Sequence, residues 1–243
     1  MDQVREARID LAAALRLAAR FDMQEGICNH FSYMVPGRND CFLVNPQGLH
    51  WSEMTASSLL LVANDGSLLE GDAPPEPTAY FIHWRIHHGL PHARAVLHTH
   101  MPYATAITSI ANGRLEPINQ KAVGRFGDRV AYDNEFNGFA LDETEGDRMM
   151  RALGNKSVLF LANHGIIVTG TDLALAFDDL YYLERTAQNQ WLAMSMGRPL
   201  RIIPEAMASK TTQQYQQFGN TQGRAHFAAL KRMLDREEPD YKN

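Results

Sequence analysis

Residues 95–104 read AVLHTHMPYA, an apolar run that ends in two histidines one residue apart. Val96 and Leu97 suit the centre of a sheet, and "YATAITSIA" (103–111) then reads as a helix. Side chains at i and i+2 of a strand point to one side, so a strand over 94–99 that continues turns His98 and His100 the same way. Two protonated imidazoles there repel, and two neutral ones each need a partner for a second ring nitrogen. One divalent cation satisfies both demands. The alternative is a pair of hydrogen-bonded core histidines, and a third ligand elsewhere in the chain would separate the two readings.

The histidines are concentrated: the chain has 10, and six fall between His83 and His100. A helix over 77–89, with Pro77 at its start where a missing N–H costs little, precedes the strand and carries His83 and His87 at i, i+4. Further out, "REARIDLAAALRLAARF" has the spacing of an amphipathic helix. "CFLVNP" reads as a strand, and "SLLLVANDGSLLEG" as a hairpin turning at Asp65-Gly66. "DETEGDRMMRALG" is an acid-started helix closed by Gly154, "SVLFLAN" a strand that "HGIIVTG" continues or reverses, and 172–197 a long helix. The segment from about 204 is polar and Gln-rich and reads as a tail, partly ordered against a neighbour. Meander outweighs strict βα alternation, which favours a mainly antiparallel sheet flanked by helices over a doubly wound one. No repeat or linker divides the chain, so one domain over 1–243 is expected.

With 243 residues and 45% apolar composition the chain can bury a substantial core. Its net charge is −5 and its basic residues are scattered, which argues against nucleic acid as a partner. No apolar run reaches a membrane-spanning length. Cys28 and Cys41 cannot make a disulfide framework, so a reduced, cytoplasmic setting is expected.

The candidate third ligand is His164, in "LANHGIIVTG", beside a glycine at the end of a second apolar strand, and its spacing alone leaves a core histidine equally open. Three imidazoles from two strand ends make an open site with a position left for water or substrate. "GICNHFS", "VNPQGLHWSEMT", "AVLHTHMP" and "LANHGIIVTG" occur in the order and spacing of the class II aldolase/adducin family, which this chain resembles over about residues 5–200. That resemblance implies a three-layer α/β/α fold around a mainly antiparallel sheet and a homotetramer. It also implies one divalent ion, Zn²⁺ first and Mn²⁺, Co²⁺ or Fe²⁺ otherwise, on His98, His100 and His164. The family includes sugar-phosphate aldolases, epimerases, dehydratases and decarboxylases, and also the metal-free head domain of adducin.

The sugar-phosphate aldolases carry a serine pair and then an acid/base glutamate at the start of the helix that precedes the His-x-His. Counting back from His98, those places hold Pro77, Thr78 and Ala79, and Gln47 replaces a phosphate-facing hydroxyl. Asn29 and Gly48 are kept, and with His30 and Gln47 they are the expected substrate-binding residues. A retro-aldol cleavage must take a proton from a hydroxyl. A carboxylate is already ionised at pH 7, so its loss as CO₂ needs only a sink for the electrons left behind. The expectation is a metal-dependent carbon–carbon lyase acting on a small unphosphorylated hydroxy- or oxo-acid, with decarboxylation ahead of aldol cleavage. The alternatives are an aldolase or epimerase on a sugar or sugar phosphate, and a non-enzymatic adducin-like domain. For the proton donor His83 is preferred, with Glu76 as a second candidate whose plainer role is a solvent-facing acid at a helix N-terminus. Tyr181, Tyr182 and Glu184 read as helix-packing residues, and Tyr215 carries no assigned role.

Overall fold

The computed structural model describes residues 3–73, 75–138 and 142–243. Among these the regular elements are α1 (Gln3–Arg20), β1 (His30–Met34), β2 (Cys41–Val44), β3 (Leu60–Ala63), β4 (Leu68–Glu70), α2 (Pro77–Gly89), β5 (Ala95–Thr99) and α3 (Pro102–Thr108). They continue with β6 (Val130–Asp133), α4 (Glu143–Leu153), β7 (Val158–Leu161), β8 (Gly165–Gly170), α5 (Leu173–Ser195), α6 (Glu205–Gln216) and α7 (Gly219–Glu237). The strands form one sheet in the order β4-β3-β2-β1-β5-β8-β7-β6. Neighbours pair antiparallel from β4 through to β7, and the β6–β7 edge pair is parallel. The mainly antiparallel sheet is therefore as expected, and "HGIIVTG" turns back on β7 rather than continuing it.

Alternation along the strands builds three layers. Ala95 and Leu97 of β5, Phe31 and Tyr33 of β1 and Val168 of β8 face a core closed by α1, α5 and α7. Val96, Leu159 and Ile167 face the opposite way, onto Ile82 and Ile86 of α2 and Met149 and Leu153 of α4. His98 has the parity of Val96, and His30 and Ser32 share that of Met34, which packs with Ala79 on the α2 side. The polar side chains of two central strands thus meet α2.

The turn chemistry follows the sequence. Gly66 has φ +82, and the Ser67 N–H donates to Asp65 Oδ1 at 2.9 Å, closing the hairpin at the expected dipeptide. Pro77 opens α2, and Glu76 caps it by accepting the Ala79 N–H at 2.8 Å. Two strands, β1 and β6, are not among the sequence expectations. The segment from about 204, expected as a polar tail partly ordered against a neighbour, includes α7, which presents Phe227, Leu230 and Leu234, at spacings of three and four, to this chain's own core beside Tyr241. Only the Gln-rich α6 before it has no buried residue. No helix of the described residues is long and apolar enough to cross a membrane.

Candidate metal centre and its pocket

His98 is the penultimate residue of β5, and His164 stands in the tight connection from β7 to β8, next to Asn163 at φ +55. Because β5 and β8 are sheet neighbours, with Thr99 opposite Ile166, the β7–β8 turn arrives beside the exit of β5. One nitrogen each of His98, His100 and His164 lies within 4.8 Å of the others, and their ring centroids are 4.9 to 5.0 Å apart. Gly165 makes this possible, since a Cβ there would stand 2.5 Å from His100 Cδ2 and 2.9 Å from the Thr99 carbonyl oxygen. The glycine of "NHG" is the space that the His100 ring fills.

Hydrogen bonds on the far side of the rings set which nitrogen faces inward. His98 Nδ1 donates to the Ile166 carbonyl at 3.0 Å, leaving Nε2 for the centre. His100 Nδ1 lies 2.5 Å from Glu25 Oε2, and its Nε2 is buried with no hydrogen-bond partner. A buried nitrogen without a partner costs about 1–3 kcal/mol unless something completes it. Three converging nitrogens, two of them on rings whose other nitrogen is bonded outward to Ile166 and Glu25, suit a divalent transition-metal ion. Burial, reinforced by the neighbouring His100, takes His164 down to about 4, and burial together with His164 holds His98 well below the usual imidazole range. Both rings are therefore unprotonated lone-pair donors at neutral pH.

The backbone around the centre is held from two sides. Asn29, at φ +74, turns its Oδ1 to accept the His100 N–H at 3.2 Å. Glu184 of α5 caps α3, accepting the Tyr103 and Ala104 N–H groups at 2.8 and 2.9 Å, so the chain is pinned just past His100. Burial raises the Glu184 carboxyl even so.

The three imidazoles open onto a cavity of about 310 Å³, a size for a small molecule. Asn29, His30, Gln47, Glu76, Thr78 and Ala79 line it with them, so most of the sequence-predicted site residues come together here. No lysine or arginine is among the described residues that line it. Two expectations change. Gly48, at φ +91, shapes the loop but is not part of the lining. His83 does not face the pocket either: it is fully buried behind His30, its Nε2 2.6 Å from His30 Nδ1 and its Nδ1 2.5 Å from Ser32 Oγ. Strand β1 pairs His30 opposite His98, which puts His30 between α2 and the metal centre and displaces His83 from it. Glu76 does cap α2 and also lines the cavity, with Thr78 Oγ1 donating to its carboxylate.

Residues 9–191 match the model of the Class II Aldolase and Adducin N-terminal domain. The chain belongs to the class II aldolase and adducin family. Among solved structures, this family member is similar to an aldolase II superfamily protein from Pseudomonas syringae, with 37% identity and a TM-score of 0.92 over 100% of this chain and 97% of the other. It is also similar to the L-fuculose 1-phosphate aldolase of Glaciozyma antarctica, with 25% identity and a TM-score of 0.86 over 100% and 96% of the two chains. Decarboxylase NovR of Streptomyces niveus is 32% identical over 206 residues, 84% of this chain and 75% of its own. As a class II aldolase relative, the chain has the fold that the sequence resemblance implies.

Glu25, Asn45 and Ser32 were not legible as site residues, and His87 was legible only through its helical spacing from His83. Asn45 accepts the Phe31 N–H at 2.9 Å and so supports β1 beneath the pocket. The available signal was periodicity: polar residues 30 and 32 at strand spacing, opposite histidines 83 and 87 at helical spacing.

Proposed function

We propose that this class II aldolase relative is a metal-dependent carbon–carbon lyase acting on a small unphosphorylated hydroxy- or oxo-acid, with decarboxylation as its reaction. The observation that carries the reading is the pocket lining: three inward imidazole nitrogens stand beside Ala79, with no lysine or arginine for a phosphate. His98, His100 and His164 are its metal ligands, with Zn²⁺ the first candidate. A divalent ion held there supplies Lewis acidity toward an oxygen of the bound acid.

The chain's own residues do the rest. Asn29, His30 and Gln47 orient the substrate through their polar atoms in the lining. Ala79 and Ile27 give it an apolar wall, where a carboxylate about to leave as CO₂ is poorly solvated. Glu76 is the carboxyl group of this lining, and we assign to it the relay of one proton from solvent to the carbon that loses its carboxylate as CO₂. Similarity to a protein named a decarboxylase supports this reaction. Similarity to the L-fuculose 1-phosphate aldolase supports aldol cleavage as a second reading, but Ala79 cannot carry that reaction's proton. A non-enzymatic, adducin-like role gives no reason for three converging nitrogens.

The test is release of CO₂ from hydroxyaryl and β-oxo acids by the zinc-loaded protein, with and without chelator, beside cleavage of L-fuculose 1-phosphate. Chelator-sensitive CO₂ release is the expected result, and cleavage of the sugar phosphate alone reverses the assignment. Glu76→Gln keeps the acceptor that caps α2, so it should fold and bind zinc while turnover drops by about 100-fold or more.

A further inference from the structure

Behind His30 a line of buried polar atoms runs to an end that can only accept. His87 Nδ1 lies 2.6 Å from the Ala93 carbonyl oxygen, so Nδ1 carries the proton. Burial takes His87 down to about 3, so the ring is neutral and its Nε2 is a bare lone pair. Ser32 Oγ is 2.7 Å from that nitrogen and must give it the hydroxyl proton. Ser32 has no second proton, so toward His83 it accepts, and His83 Nδ1, 2.5 Å away, is protonated. His83, kept neutral by burial, then has a bare Nε2. The proton in the 2.6 Å contact between His83 Nε2 and His30 Nδ1 therefore sits on His30. Reversing any link sets two lone pairs or two protons against each other where water cannot intervene.

We propose that Ser32, His83 and His87 are positioning residues that lock the His30 ring in its Nδ1–H tautomer. Its remaining ring nitrogen, Nε2, then meets a ligand as a hydrogen-bond acceptor and selects small acids that carry a hydroxyl over their methyl ethers. His30 lines the cavity while His83 and His87 do not, so the pocket receives the outcome of the chain without its members. The preference for a hydroxyl rests on the lyase reading above, whereas the tautomer lock stands without it.

Two-bond proton–nitrogen correlation spectra of the zinc-loaded, ¹⁵N-histidine-labelled protein at pH 8 test the lock. The expected result is the Nδ1–H tautomer for His30, His83 and His87 together. An Nε2–H or averaged signal for His30 overturns the proposal, and needs no variant. Ser32→Ala should free His83 to move its proton to Nε2 and turn His30 to Nε2–H, and Ser32→Thr should restore the original pattern. Glycolate and methoxyacetate, titrated into the zinc-loaded protein, test selection. The preference for glycolate should fall about fivefold in Ser32→Ala relative to the unsubstituted protein. An unchanged preference despite a switched tautomer refutes selection by His30. If the lyase reading fails, CO₂ release is absent while the three Nδ1–H signals remain.

Discussion

Two groups of histidines lie a few ångströms apart, and they solve the problem of burial in opposite ways. In the His98, His100, His164 group each ring presents a nitrogen to one common point, and His100 Nε2 has no protein partner. In the His30, Ser32, His83, His87 chain every nitrogen of His83 and His87 is taken up by a neighbouring side chain or carbonyl. The same residue type therefore serves as a ligand where its acceptors converge and as a conduit of hydrogen bonds where they are paired. Burial alone does not mark a ligand, since His98 is as deeply buried as His83 and His87 while His100 and His164 are part-exposed. Partner geometry does.

The largest effect that sharpens this contrast is removal of a converging nitrogen. His164→Ala leaves two imidazoles, so zinc affinity measured by equilibrium dialysis should drop by more than about 100-fold, and zinc should no longer raise the melting temperature. His87→Gln, in the paired chain, should still hold one zinc per chain. Equal zinc loss in both variants would erase the distinction between the groups.

A smaller effect is expected one shell further out. Glu25 is mostly exposed, yet its Oε2 is the acceptor that directs the His100 Nε2 lone pair inward. Glu25→Ala should weaken zinc binding by about 10- to 100-fold, with Glu25→Gln between it and the unsubstituted protein because an amide oxygen still accepts. Unaltered affinity in Glu25→Ala would mean that His100 needs no such orientation.

The converging group was legible in the sequence, and the paired chain was not, for a physical reason. His-x-His after a buried strand and His-Gly after another are local patterns, and the strand period alone predicts that the first two rings share a side. The helix α2 begins at Pro77 and ends at Gly89 as its punctuation implies, because proline and the following cap act over a few residues. Strand β1 escaped because its sequence, HFSYM, alternates polar and apolar like a half-exposed strand, although all five residues are buried. Its polar face is covered by another polar face, that of α2, and pairing across such distance leaves no local mark. The place beside the pocket expected for His83 is therefore occupied by His30, with His83 behind it. Likewise α7 hides three core residues among polar ones, and β6 is a short edge strand paired to β7.

The smallest effect concerns what the paired chain does to stability. His83 and His87 are held neutral by burial, His87 down to about 3, whereas in the unfolded chain each titrates near 6.5. Below pH 6.5 the unfolded state therefore binds protons that the folded state refuses, and stability falls as pH falls. The contribution is fully present above the unfolded value, and for His87 its loss continues down to the folded one. Each such ring contributes a slope of about 1.4 kcal/mol per pH unit in that window. Urea unfolding of the metal-free protein between pH 6.5 and 5 should show that dependence, and His87→Gln should reduce the slope by one ring's share, even if its stability at pH 8 is lower. A slope unchanged by the substitution would mean that His87 takes up a proton inside the fold. The Ala93 carbonyl would then no longer define the end of the chain, and the paired group would lose the property that sets it apart from the converging one.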